Sequence, residues 1–211
     1  MRDHPIGVFD SGIGGLTIVR ALKEALPQEP LVYFGDTAHL PYGDKSPEVL
    51  RGYITAITRF LLAQPVKALV VACNTASAVG YDLVRGLAPG LPVFEVISPA
   101  VEAALAASRS GRIGVIGTKT TVSSHVYLRQ LLERDPQALV VEKAAPLLAP
   151  MIEEGWAGNE VSAGIIEAYM SDTGFAHIDT LILGCTHYPL IQPQVEQYFA
   201  SEARRPVAVI N

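Results

Sequence analysis

The chain has 211 residues, of which 49% are hydrophobic and 18% charged, with a formal net charge of -5. That balance suits one large α/β domain or two lobes of roughly 100 residues, and it excludes a disordered chain and a basic nucleic-acid binder. There are 2 cysteines, neither in a CxxC or metal-ligand spacing, so neither a disulfide nor a zinc framework is indicated. The N-terminus lacks a charged leader with an apolar core, and no apolar run approaches the ~20 residues of a membrane helix. A cytoplasmic protein with no nucleic-acid or membrane partner is expected.

In chain order, Pro5 to Phe9 reads as a short apolar strand, DSGIGG as a turn, and LTIVRALKEAL as an amphipathic helix. Such a turn exposes backbone N–H groups to an anion. The dinucleotide fingerprint GxGxxG is not met, because Gly12, Gly14 and Gly15 run on into Leu16 and Thr17. Asp10 ends the strand, where it either caps the turn or acts on whatever binds there. Leu31 to Phe34 forms a second strand, and GDTAHLPYGDKS is a loop entering a helix near Pro47. Tyr42 and Gly43 at its centre are turn residues or face a ligand. After the amphipathic helix EVLRGYITAITRFLLAQ comes ALVVACNTASA, residues 68–78, an apolar run suited to a strand buried on both faces. It ends in Cys73, and Asn74 and Thr75 open the next helix as natural caps. Pro92 to Ile97 reads as a further strand.

The pattern then recurs. IGVFDSGIGGLTIVRAL from Ile6 is echoed from Ile113 at an offset of 107, Cys73 by Cys185 at 112, and PVFEVI from Pro92 by PVAVI from Pro206 at 114. Slowly drifting offsets are those of a duplication with small insertions. The fold class expected is α/β, as two pseudo-symmetric lobes, each a mostly parallel sheet flanked by helices. The helix SPAVEAALAASRS links them, and an active site between them would be lined from both sides. In the second lobe Thr118 to Ser124 is hydroxyl-rich, a carboxylate cradle or an ordinary turn and cap. PLLAPMIEEGW places Glu153 and Glu154 after an apolar run, one solvated and the other inward, without a choice between them. TLILGCTHYPL, residues 180–190, ends in Cys185 with His187 two residues on, a proton partner or simply a hydrogen-bonded histidine.

Ligands of open α/β sheets bind at the carboxyl ends of the strands, where both thiols stand. The alternative for each is a small buried hydrophobe. Two like groups facing across a cleft suit racemisation, because acid and base exchange roles between the two directions. The free thiol pKa is about 8.5, and helix N-termini after Cys73 and Cys185 are expected to favour thiolate. Asp10 and His187 are placed to exchange protons with the sulfurs. No lysine stands in a Schiff-base context, so no cofactor and no metal are expected.

GVFDSGIGGLTIVRAL, YFGDTAHLPYG, ALVVACNTASA, VIGTKTTVSSHVY and LILGCTHYPL together resemble the glutamate racemases of the aspartate/glutamate racemase superfamily, over essentially the whole chain. The resemblance implies a cofactor-independent enzyme whose small-molecule substrate is L- or D-glutamate and whose product D-glutamate feeds peptidoglycan; a homodimer is compatible with it. It implies that Cys73 and Cys185 are the catalytic acid/bases, Cys73 serving D-glutamate and Cys185 L-glutamate. Asp10 would assist the first, and Glu153 and His187 the second. Asp10 with Ser11, Tyr42 with Gly43, Asn74 with Thr75, and Thr186 with His187 match substrate-holding positions, and Thr118 and Thr121 match carboxylate contacts. The first lobe is expected over residues 1–97, receiving a C-terminal return of 206–211, and the second over 98–205. Departures are His39 where many members have Arg, Thr120 where Gly is common, Ala145 where a non-catalytic Cys is frequent, and Asn211 in place of Asp. The usual tail beyond PVAVI is expected to be missing. The alternatives are a related cofactor-free racemase, isomerase or decarboxylase, acting on aspartate for instance, and a binding protein that keeps the fold without turnover.

Overall fold

The computed structural model describes residues 3–202 and 207–211, which fall into two compact units divided between Val96 and Ile97. The first unit runs β1 (Ile6–Asp10), α1 (Leu16–Ala25), β2 (Leu31–Gly35), α2 (Pro47–Leu62), β3 (Ala68–Val71), α3 (Asn74–Leu87) and β4 (Val93–Glu95). A 3₁₀ turn, Tyr42–Asp44, lies between β2 and α2. All strands are parallel, in the order β2-β1-β3-β4. β1 and β3, buried throughout, are central, as apolar runs without polar alternation require.

Side-chain alternation along these strands divides the core between the sheet's two faces. Ile6, Val8, Ala68 and Val70 pack with Ile18, Val19 and Leu22 of α1, whereas Phe9, Leu69 and Val71 pack with Leu50, Ile54 and Leu61 of α2. Each fully buried aliphatic side chain contributes on the order of 1.5–3 kcal/mol. α2 starts where Ser46 accepts the Val49 N–H and Pro47 takes the first helical position, and it buries Leu50, Ile54, Ile57 and Leu61 at helical spacing.

The second unit repeats the scheme with additions: α4 (Ile97–Ala107), β5 (Arg112–Gly117), α5 (Lys119–Ser123), α6 (Val126–Arg134), β6 (Leu139–Ala144), α7 (Leu148–Glu153), α8 (Glu160–Met170), β7 (Thr180–Gly184), α9 (Gln192–Glu202) and β8 (Ala208–Ile210). Its sheet order, β6-β5-β7-β8, is again all parallel, so β1 to β4 correspond to β5 to β8. In each sheet the order reverses between the first strand and its two neighbours, the switch point at which open α/β sheets bind ligands.

The C-terminal segment departs from expectation. PVAVI does not return to the first lobe: β8 pairs with β7, with Thr180 opposite Ala208 and Ile182 opposite Ile210. The reason lies in the repeat itself, since β8 takes the place beside β7 that β4 takes beside β3. Pro206 lies outside the described residues.

Candidate active site

In the first unit, β1 delivers Asp10, fully buried, into the DSGIGG turn. Its Oδ2 accepts the N–H groups of Gly12 (3.0 Å) and Gly15 (3.1 Å). A Cβ at Gly15 would stand 2.5 Å from the Asp10 Cβ, and one at Gly35 2.3 Å from the Gly12 carbonyl oxygen, so the two close approaches require glycine. The Tyr33 hydroxyl donates to the same Gly12 carbonyl at 2.6 Å. One oxygen thus serves as a cap. The other, Oδ1, is buried with no hydrogen-bond partner among the described residues, which is costly for a carboxylate and points to a cationic or protic ligand.

Cys73 follows β3 and is the N-cap of α3, its Sγ accepting the Ala76 N–H at 3.4 Å. Ser11 Oγ lies 3.7 Å from the sulfur. The helix N-terminus was expected to favour thiolate, yet the thiol is pushed up to about 12, first by burial and then by the Asp10 charge, which together outweigh those bonds. Asn74 and Thr75 lie buried in the first turn of α3. Tyr42 is buried at the 3₁₀ turn, with Gly43 half-buried beside it. Burial, followed by its hydrogen bond to Asp36, holds the Tyr42 hydroxyl well above the usual tyrosine range, and the charges of Cys73 and Asp10 add to this. The first unit therefore gathers Asp10, Ser11, Tyr42, Cys73, Asn74 and Thr75 at one end of its sheet.

In the second unit, Cys185 follows β7 with its Sγ 3.6 Å from His187 Nδ1. Glu153, the last residue of α7, places Oε1 2.9 Å from His187 Nε2. Among the described residues that nitrogen has no aligned hydrogen-bond partner, so Glu153 stands beside it off the N–H axis. Each ring nitrogen thus has a neighbour, the Cys185 sulfur at Nδ1 and the Glu153 carboxylate at Nε2. Of the glutamate pair it is Glu153 that reaches the histidine; no ion pair joins His187 to Glu154 among the described residues. No α-helix begins at Cys185, contrary to expectation: Pro189 follows in a 3₁₀ turn, Tyr188–Ile191, that precedes α9.

Thr118 caps α5, its hydroxyl accepting the Thr121 N–H at 3.2 Å and lying 3.0 Å from the Thr121 hydroxyl. Capping is thus a demonstrated use of that turn. Thr186 is buried beside Cys185. Sequence reasoning passed over Asp36 and Tyr33; the signal for Asp36 was its position immediately after β2, at the same sheet end as Asp10.

A duplicated parallel sheet with a thiol beyond the third strand of each copy defines a class, and the sequence places the chain in it: the chain belongs to the Asp/Glu/hydantoin racemase family, which it matches over residues 14–211. Among its relatives, a glutamate racemase of Neisseria meningitidis serogroup C is 50% identical over 194 residues, covering 92% of this chain and 72% of that protein. The crystal structure of glutamate racemase from Francisella tularensis in complex with D-glutamate is 38% identical with a TM-score of 0.92, covering 100% of this chain and 77% of that one. The glutamate racemase of Thermus thermophilus, solved with β-chloro-D-alanine, is 40% identical with a TM-score of 0.87, covering 100% and 76%.

Proposed function

We propose that this protein interconverts L- and D-glutamate without a cofactor, using Cys73 and Cys185 as paired acid and base. The observation that carries the reading is the repeated placement of a thiol after the third strand of each sheet, each with its own ionisable neighbour, Asp10 or His187. In the direction from L to D, the Cys185 thiolate removes the Cα proton and the Cys73 thiol delivers its proton to the opposite face. One Cα–H bond breaks, another forms, and the thiol and thiolate exchange places; the reverse direction restores them. Hydrogen bonds to the substrate carboxylate from the hydroxyl and amide side chains at both strand ends, Asn74, Thr75 and Thr186 among them, would carry charge developing in the transition state.

Burial and the Asp10 charge keep the Cys73 thiol protonated near neutral pH, so its thiolate is scarce without substrate. The substrate supplies the remedy. An α-ammonium beside the unpartnered Asp10 Oδ1 cancels the charge that helps hold Cys73 protonated, so the base ionises when there is something to deprotonate. Glu153 and His187 serve Cys185 in the same sense, the imidazole passing protons to and from the sulfur. The product would feed peptidoglycan synthesis in the cytoplasm; no helix among the described residues is long and apolar enough to cross a membrane.

The test is circular dichroism of L- and D-glutamate with the protein alone, compared with L- and D-aspartate. Convergence of both glutamate enantiomers on zero rotation, with aspartate much slower, is the expected result. Convergence for aspartate alone, or for neither substrate, would overturn the reading.

A further inference from the structure

We propose that His39 and Asp36 form a positioning pair that holds the Tyr42–Gly43 segment in place for substrate. The inference rests on the proposed glutamate activity, with Tyr42 and Gly43 at the substrate-holding positions that the family resemblance implies. Asp36 follows β2 directly and is buried. Its backbone N–H donates to the Asp10 carbonyl at 3.0 Å, and its carbonyl accepts the His39 N–H at 3.2 Å. Its carboxylate accepts the Tyr42 hydroxyl at 2.6 Å through Oδ2, and its two oxygens lie 2.7 and 3.0 Å from His39 Nδ1. One residue therefore ties the loop to the strand end that carries Asp10 through its backbone, and to the ring that precedes Gly43 through its carboxylate.

The geometry also assigns the Tyr42 hydroxyl. It donates to Asp36 and the residue is 2% exposed, so the hydroxyl anchors the segment, and what Tyr42 offers a substrate comes from its backbone and from Gly43. His39 stacks on Tyr53 of α2 with centroids 4.1 Å apart. The histidine side chain is 46% exposed and the Asp36 side chain 8%, so the imidazole meets solvent protons while its partner does not. The titratable groups against His39 are Asp36 in its own loop and Tyr53 on α2, with Tyr42 behind Asp36 and, beyond Tyr42, Cys73 and Asp10. A protonated His39 makes a charge-assisted bond to Asp36; a neutral one can still donate from Nδ1, more weakly.

The experiment compares the parent with His39→Gln and His39→Arg, the second keeping a positive charge at every pH used. Steady-state racemisation of glutamate is followed from pH 6 to 9, alongside hydrogen exchange at the amides of Tyr42, Gly43 and Asp44 without substrate. His39→Gln should raise KM about five- to tenfold with kcat within about twofold, and His39→Arg, which keeps a donor for Asp36, should restore a low KM. Exchange at the three amides should be about tenfold faster in His39→Gln and return towards parental rates in His39→Arg. Unchanged exchange in His39→Gln overturns the proposal. Faster exchange with unchanged KM overturns it too, leaving His39 as a support of the fold alone. A parent that fails to racemise glutamate refutes the proposed function, while the exchange measurement still decides whether His39 holds the segment.

Discussion

Replacing Asp10 by Asn separates two effects that a simple loss of function would merge. The same carboxylate oxygen accepts both the Gly12 and the Gly15 N–H, so the single amide oxygen of Asn can accept both, and the DSGIGG turn survives. Thermal stability should stay within about 1 kcal/mol of the parent, the scale of one exchanged hydrogen bond. What disappears is the charge that, after burial, does most to hold the Cys73 thiol at about 12. A neighbouring charge is worth roughly 1–3 pK units, but burial is the larger cause here and stays, so a fall of about 1–2 units is expected. Each unit raises the thiolate population about tenfold and lowers its intrinsic nucleophilicity about threefold, a net gain of about threefold. Cys73 in Asp10→Asn, without substrate, should therefore be alkylated by iodoacetamide about three- to tenfold faster at pH 8, read site by site by mass spectrometry. Turnover should move the other way, kcat falling about 10²- to 10⁴-fold as an acid/base partner is lost. Alkylation no faster than in the parent, or kcat within about twofold of it, would refute the reasoning.

Two other perturbations follow from the second unit. Glu153→Gln should lower kcat by at least about tenfold through His187, whereas Glu154→Gln should stay within about twofold, both measured by the dichroism assay. Asp179 accepts hydrogen bonds from the Ser108 hydroxyl, from the Arg109 N–H, and from the N–H and hydroxyl of Ser110; burial opposes its charge, but these bonds outweigh it and hold the carboxyl well below the usual range. Its folded pKa lies below the unfolded one, so the charge stabilises fully above about pH 4 and ceases to as pH falls below that. Asp179→Asn should cost about 1 kcal/mol at pH 7 after allowance for solvent screening, and urea unfolding should show the gap to the parent closing below about pH 4.

The two sheets were legible because strands buried on both faces cannot hide: ALVV and TLILG are apolar without alternation, and each stops at a cysteine. β6 escaped notice because it is an edge strand, half-buried, and LVVEKA carries two charges that mask its period. The misplaced C-terminal segment is instructive. The offset that matched Pro206 to Pro92 already assigned β8 the role of β4, and the expected return to the first lobe contradicted the repeat that had been recognised. At the thiols, sequence supplied the helix start after Cys73 but not the balance of burial against hydrogen bonding, which depends on what surrounds the sulfur in three dimensions. The Asp36 hub was invisible for a similar reason. An Asp, a His and a Tyr within seven residues are ordinary loop composition until the backbone turns them towards one another.

The central claim is that Cys73 and Cys185 act on opposite faces of one substrate carbon, and the most direct measurement is solvent-deuterium exchange at Cα with each thiol replaced in turn. Cys73→Ser and Cys185→Ser should both lose racemisation in both directions, by about 10²- to 10⁴-fold or more. Each should retain slow α-proton exchange of the one enantiomer its remaining thiol can reach: L-glutamate in Cys73→Ser and D-glutamate in Cys185→Ser. If the two variants exchange the same enantiomer, or if either racemises glutamate at the parental rate, one of the cysteines is a core residue and the two-thiol account is wrong.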